Sequence, residues 1–292
     1  MDIISKTSYR FLRFPGGKTK AVTFSYDDGA VSDMRLCDIF DKYEMKGTFN
    51  LNSSHVLDTT RKTTINLPEM KDILARGHEI ALHGYSHKAH SSIAPVEAVR
   101  ETLADRLYME KALGKIIRGM AYPDTGIRHS HNGNDYQTVR GILQSVGVAY
   151  ARALVINNVD FTLPTDWYAW MPTCHHTDPN LFELASKFLD LDVEGKYCSD
   201  RYPRLFYVWG HSYEFDNHNN WERIEELCSM LSAKEDIWYA TNIEIYNYVK
   251  AYESLIPSAD SSMIYNPSLM TVWFNVNGKI HSVEPGQTLT IE

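Results

Sequence analysis

Ala21-Val-Thr-Phe-Ser-Tyr-Asp-Asp-Gly29 is an apolar run that ends in two adjacent carboxylates and a glycine. Ala21, Val22 and Phe24 read as a buried strand, with Asp27 and Asp28 at its C-terminal end. Further on, Glu79-Ile-Ala-Leu82 repeats the pattern and leads into His83-Gly-Tyr-Ser-His87. Alone, Asp27-Asp28-Gly29 is also a turn sequence. Beside His83 and His87 it becomes part of a three-ligand set: one carboxylate and two imidazoles suit a divalent metal with positions left for water and substrate. The second carboxylate is then placed to act as a base on that water, so these residues predict a metal-dependent hydrolase.

Outward from this stretch, short apolar runs alternate with helical periodicity. Strands are expected at Ala21–Ser25, Lys46–Leu51, Glu79–Leu82, Gly119–Tyr122, Val148–Ala151, Leu205–Trp209 and Ile237–Ala240. Helices are expected over Ser32–Tyr43, Pro68–Gly77, Pro95–Gly114, Asp135–Val146, Leu181–Leu191, Trp221–Leu231 and Asn242–Glu253. The stretch from Asn157 to Pro179 shows no period. Repeated strand–helix units imply a parallel sheet, and about seven of them predict an α/β fold: a distorted or incomplete (β/α) barrel over residues 1–255. From Ile256 the texture changes. Thr271–Val276, Asn277-Gly278 and Lys279–Val283 read as a hairpin on an Asn-Gly turn, and Thr288–Ile291 as a last strand. Residues 256–292 are therefore expected as a small β appendage docked on the barrel, too short for a core of its own.

Bulk properties narrow the partners. Of 292 residues, 43% are hydrophobic and 23% charged, enough apolar material for a sizeable core. A net charge of -8 argues against nucleic acid or an anionic membrane surface as the main partner. Cys37, Cys174, Cys198 and Cys228 form no CxxC pair, so reduced thiols are expected. No apolar stretch approaches membrane-spanning length. Met1-Asp-Ile-Ile-Ser-Lys-Thr7 has neither the apolar core nor the cleavage site of a secretion signal, which predicts a cytoplasmic protein.

The polar clusters sort by strand. Asp27 and Asp28 follow the first strand, His83 and His87 the third, Pro123-Asp124 the fourth, Arg152 the fifth and His211 the sixth. All lie at C-terminal strand ends, the face where barrel enzymes place their active sites. Here the residues become recognisable. Thr23-Phe-Ser-Tyr-Asp-Asp-Gly29 resembles the first motif of the polysaccharide deacetylases, carbohydrate esterase family 4, and His83-Gly-Tyr-Ser-His87 their second. Ala121-Tyr-Pro-Asp-Thr-Gly126 is a divergent third, Asp166-Trp167 is similar to the fourth, and Trp209-Gly-His211 stands where the family carries its last-motif histidine. The resemblance runs in consistent order through roughly residues 20–255.

It implies that Asp28, His83 and His87 bind the metal, zinc foremost, with cobalt, nickel or manganese as alternatives. Asp27 would be the general base and His211 the general acid. The Asp124 amide would help hold an oxyanion, and Tyr122, Pro123, Asp124 and Trp167 would contact the substrate. The implied reaction is removal of N- or O-linked acetyl groups from a carbohydrate, releasing acetate. One departure stands out: the third-motif arginine that pairs with the catalytic carboxylate is Ala121 here. Arg152, at the end of the next strand, is the candidate to replace it as Asp27's partner.

The remaining residues carry less. His78 reads as structural and His90 as a solvated loop residue. His175-His176 read as a substrate loop, ahead of a second metal site or a plain loop. Trp167, Tyr168, Trp170, Trp209 and Tyr213 suit a sugar-stacking platform or ordinary core, with Trp209 placed in the core. Glu214 and Asp216 are either substrate contacts or solvated. Against the deacetylase stand a metal-dependent amidohydrolase on a non-sugar amide and a silent carbohydrate-binding protein, the latter favoured only by Ala121.

Overall fold

Strand β2, Lys20–Asp27, is buried at every position, so both its faces are covered, as in a parallel sheet walled by helices. The computed structural model describes residues 9–124, 126–194 and 201–291; Met1–Thr7, Thr125 and Cys198 of the sequence reading lie outside them. In chain order the strands are β1 Arg10–Arg13, β2, β3 Gly47–Leu51, β4 Glu79–Leu82, β5 Gly119–Ala121, β6 Tyr150–Arg152, β7 Cys174–His175, β8 Arg204–Gly210 and β9 Ile237–Tyr239. The helices are α1 Asp33–Lys42, α2 Ser53–Val56, α3 Leu67–Ala75, α4 Pro95–Leu113, α5 Tyr136–Ser145, α6 Leu181–Asp190, α7 Tyr213–His218, α8 Glu222–Leu231 and α9 Asn242–Glu253.

The sheet runs β6-β5-β4-β3-β2-β8-β7, with β9 pairing the start of β2, and all pairings are parallel. Helices pack side by side in the matching order α5-α4-α3-α1-α8-α6. The sheet curls until its ends meet: Trp170 bridges Arg152 in parallel, and four residues on Cys174 pairs with Val208. This is a distorted (β/α) barrel. β7 has no counterpart among the expected strands; it sits inside the stretch from Asn157 to Pro179. Two residues just after Pro172 are too few to show a period.

The pleat of β2 divides its side chains. Val22, Phe24 and Tyr26 pack outward with Leu36 and Phe40 of α1. Ala21, Thr23, Ser25 and Asp27 point inward, since alternate residues share a face. Inside the barrel the polar groups form two tiers. In the lower, Glu79 accepts from Thr48 Oγ1 (2.9 Å) and Tyr150 Oη (2.8 Å). In the upper, Asn50 Nδ2 donates to Ser25 Oγ (2.7 Å) and Asp27 Oδ1 (2.9 Å), and Arg152 reaches Asp27. Each pair of tiers lies two residues apart on its strand: Thr48 and Asn50, Tyr150 and Arg152.

The C-terminal strands form two small antiparallel sheets. One is β10 Ile256–Pro257, β11 Met263–Tyr265 and β14 Thr288–Thr290. The other joins β12 Val272–Val276 and β13 Lys279–Val283 to β1 at the opposite end of the chain, with Arg10 opposite Val276. The sequence division at residue 255 placed residues 10–13 with the barrel, whereas they complete the appendage. Arg13, fully buried, also ties this sheet to Glu194 and to the Arg201 carbonyl. Cys37, Cys174 and Cys228 are buried free thiols. Among the described residues no helix is long and apolar enough to cross a membrane.

Candidate active site

Three strand ends deliver the motif residues to one point. β2 releases the chain into Asp28 at φ 76° and Gly29 at φ 65°. β4 releases it into the 83–87 loop, where His87 sits at φ 60°, and Asp124 after β5 sits at φ 49°. Left-handed backbone is unfavourable for residues with a Cβ by about 1–3 kcal/mol each and concentrates where function requires it. The loop is strapped down to hold this shape. Asp105 of α4 accepts the amides of His83 (3.1 Å) and Ser53 (2.8 Å), and Asn52 Nδ2 donates to the carbonyls of His83 and Gly84. Glu101 accepts both the amide and the hydroxyl of Ser86. Gly84, at φ 77°, lies under Pro123, where an added Cβ would come within 3.3 Å of its ring.

His83 Nε2 lies 3.6 Å from Asp28 Oδ1, and His87 Nε2 lies 3.4 Å from the same oxygen. One donor atom from each of the three residues falls within 4.8 Å of the others. The His83 ring is 1% exposed and its Nδ1 is 2.9 Å from the Ala121 carbonyl. A carbonyl can only accept, so Nδ1 carries the proton and Nε2 turns a lone pair toward Asp28. That is the arrangement of a metal-ligating histidine with its second nitrogen anchored. Burial also holds the His83 pKa down, keeping the ring neutral. Carboxylate plus two imidazoles, with the tautomer already set, fit a divalent ion of zinc type.

Asp27 lies beside this set, Oδ2 at 3.8 Å from His83 Nε2. Its other neighbours are Asn50 and the guanidinium of Arg152, which pairs with Oδ2 and lies 4.6 Å over the half-buried Trp209 ring. Burial pushes the Asp27 carboxyl up, but Arg152, His83 and His211 outweigh it and hold it below the ordinary carboxylate range. His211 approaches from β8, with Nε2 3.9 Å from Asp28 Oδ2 and Nδ1 3.3 Å from Glu214 Oε1. Burial lowers its pKa, and Glu214, Asp27 and Asp28 together raise it further than burial lowers it. A cleft of about 370 Å³ opens over Asp28 and His87, lined also by His55, Arg61, Thr63 and Tyr213.

Several expected contacts lie elsewhere. Trp167 is not at the cleft: it is 7% exposed, edge-on to Trp170 (5.0 Å) and Tyr246 (5.1 Å) in the inner core. Tyr122 is 2% exposed, its hydroxyl donated to the Tyr168 carbonyl, so its ring is a core element and offers nothing to a substrate. Pro123 is buried too, and only Asp124 is exposed, with Oδ1 3.7 Å from His87 Nδ1. Asp166 binds Tyr136 and caps a short helical turn through the Tyr168 amide. His90 is fully buried against Thr102 rather than solvated, and Trp209 lines the site rather than the core. Glu214 faces three histidines: His211, His175 (3.2 Å) and His176 (2.9 Å). Asn50 and Asp105 had no sequence signal; each lies inside a periodic element and becomes visible only through its partner.

Residues 4–145 match the family model described as polysaccharide deacetylase. No curated protein matches the chain. A Mycobacterium smegmatis protein assigned to the polysaccharide deacetylases superposes with a TM-score of 0.58 at 18% identity, over 85% of this chain and 96% of its own. The Xyl-CE4 domain of a multidomain xylanase from the hindgut metagenome of Trinervitermes trinervoides gives 0.50 at 15% identity, over 80% and 92%. The Streptococcus pyogenes deacetylase PplD, in complex with acetate, gives 0.40 at 19% identity over 46% of this chain, which spans only 55% of that protein. The first two likenesses establish a shared fold; the likeness to the family lies in the matched segment and the motifs it contains. Over residues 4–145, just under half of its length, the chain matches the polysaccharide deacetylase family.

Proposed function

We propose that the protein is a divalent-metal-dependent deacetylase that removes N- or O-linked acetyl groups from a carbohydrate, with zinc the expected ion. The observation that carries this reading is the Asp27 carboxylate, clamped by Arg152 and Asn50 next to the Asp28–His83–His87 set, with His211 across from it. Asp28, His83 and His87 would hold the ion. When bound, such an ion polarises the acetyl carbonyl and makes a neighbouring water more acidic.

Asp27, ionised through the neutral range, takes the proton of the attacking water. Arg152 and Asn50 fix its orientation, which is the part of base catalysis that depends on geometry. His211, whose charged form Glu214 favours, returns a proton to the departing amine or alkoxide. Arg152 supplies from β6 the cation that the family's third motif carries at the position of Ala121. His55, Arg61 and Tyr213 offer polar and aromatic contacts to the sugar in the cleft.

Acetate release from a panel of N- and O-acetylated sugars by metal-loaded protein tests the reading, with Asp27→Asn in parallel. Release by the wild type, lost in the variant while metal content stays the same, is the expected result. Metal uptake with no release from any acetylated sugar would redirect the assignment to a non-sugar amide or to a silent binding protein.

A further inference from the structure

We propose that His175, His176 and Glu214 form a second divalent-cation site of zinc type, separate from Asp28–His83–His87 and linked to it through His211. β7 places His175 opposite Trp209, His176 continues that pairing, and Glu214 enters from the first turn of α7. Glu214 Oε2 is 3.2 Å from His175 Nε2 and 2.9 Å from His176 Nε2. Ligand atoms about 2.1 Å from a tetrahedral ion lie about 3.4 Å apart, so these donors already have the spacing of such a site.

The second observation is His176 itself. It is 1% exposed, and neither ring nitrogen meets hydrogen-bond geometry, although Nε2 lies 2.9 Å from Glu214 Oε2. Its Nε2 approaches Glu214 without the alignment of an N–H donor, and an ion between the two would satisfy both. Its ring is fixed between Phe215 (centroids 4.2 Å, 29°) and Tyr26 (5.6 Å, 23°). The ring also lies on Gly210, where any Cβ would come within 2.1 Å of Nδ1. A polar ring buried this rigidly, with Nδ1 unpartnered and only a misaligned carboxylate beside Nε2, is unfavourable unless something satisfies it.

His175 Nδ1 accepts from the Thr177 amide (3.2 Å) and lies 2.7 Å from Thr177 Oγ1, so Nε2 carries the proton toward Glu214. On ion binding the proton would move to Nδ1 and be donated to Thr177 Oγ1, leaving the Nε2 lone pair to the ion. Among the described residues the ion-pair partners of Glu214 are histidines alone, and the His175 and Glu214 side chains are 21% and 22% exposed, within reach of a dissolved ion. Two imidazoles and one carboxylate favour zinc and its transition-metal neighbours over magnesium or calcium. An ion there would fix Glu214, whose other oxygen faces His211.

The test is metal stoichiometry on full-length protein, stripped with chelator and reloaded with Zn2+, read by elemental analysis and calorimetry. The wild type is expected to take two equivalents. His175→Ala and Glu214→Gln should each lose one, and Asp28→Asn should lose the other. Zinc uptake that is unchanged in both His175→Ala and Glu214→Gln overturns the proposal. If Asp28→Asn keeps its full complement while His175→Ala loses an ion, the first-site reading fails and this one stands. Should a variant not fold, by far-UV circular dichroism, the wild-type visible Co2+ spectrum decides: two saturating phases support the second site, and one phase overturns it.

Discussion

Two carboxylate–histidine clusters flank His211, and they are built differently. Asp28, His83 and His87 come from two strand ends and are held by the backbone: Asp105 and Asn52 strap the loop, and the Ala121 carbonyl sets the His83 tautomer. His175, His176 and Glu214 come from a two-residue strand and a short helix and are held by packing, with Tyr26 and Phe215 on either side of one ring. Hydrogen bonds to the main chain fix a lone pair's direction, whereas stacking fixes only the plane. The first cluster is thus aimed at a reacting centre beside Asp27, while the second is suited to holding a charge in place.

The most direct way to break this contrast is Asp27→Asn. Loss of a positioned base should cut kcat by about 10²–10⁴-fold with metal content unchanged, measured as acetate release beside elemental analysis. A variant with the wild-type rate would move the chemistry away from the first cluster. Next comes Arg152→Met, which strands a buried carboxylate. Urea unfolding should show a loss of about 3–5 kcal/mol, largely recovered in the Asp27→Asn, Arg152→Met double variant. Failure of the double variant to recover would mean that Arg152 stabilises through Trp209 instead of through Asp27.

A third prediction uses the lower tier of the barrel as a reference. Burial, against hydrogen bonds from Ile243, Tyr150 and Thr48, pushes Glu79 from 4.5 up to about 7. Its contribution to stability is therefore complete below pH 4.5 and lost as pH rises through about 7. That amounts to about 3 kcal/mol of pH-dependent stability, and Glu79→Gln should flatten the slope of unfolding free energy across this window whatever its absolute stability. Phe215→Leu removes one side of the His176 stack, worth about 1 kcal/mol. It should weaken the second zinc equivalent in calorimetry and leave the first alone. Smallest of all, Trp167→Phe should leave KM for an acetylated sugar unchanged; a large rise would return that tryptophan to the cleft.

The first cluster was legible because its ligands fall within short segments at strand ends, where period and position agree. The alternation along Ala21–Asp27 even indicates that Asp27 shares a face with Ser25 and Thr23. The second cluster was legible only as the pair His175-His176, with a metal site among its alternatives, because β7 is too short to show alternation and Glu214 lies 38 residues beyond His176 in sequence. Tyr122 and Trp167 were misplaced for a related reason: an aromatic ring at a strand end looks the same in sequence whether it faces the cleft or the core. Asp105 was hidden because helix α4 shows only which side of it is buried and says nothing of the amides it receives.

The pairing of Arg10 with Val276 carries a consequence in time. A ribosome adding about 5–20 residues per second needs on the order of ten to fifty seconds to pass from one partner to the other. Through that interval every barrel strand can emerge and associate while β1 still waits for its neighbour. The first strand described is therefore among the last to find its place in the sheet, and the nascent chain must keep Leu12 and Phe14 from other partners until its final hairpin appears.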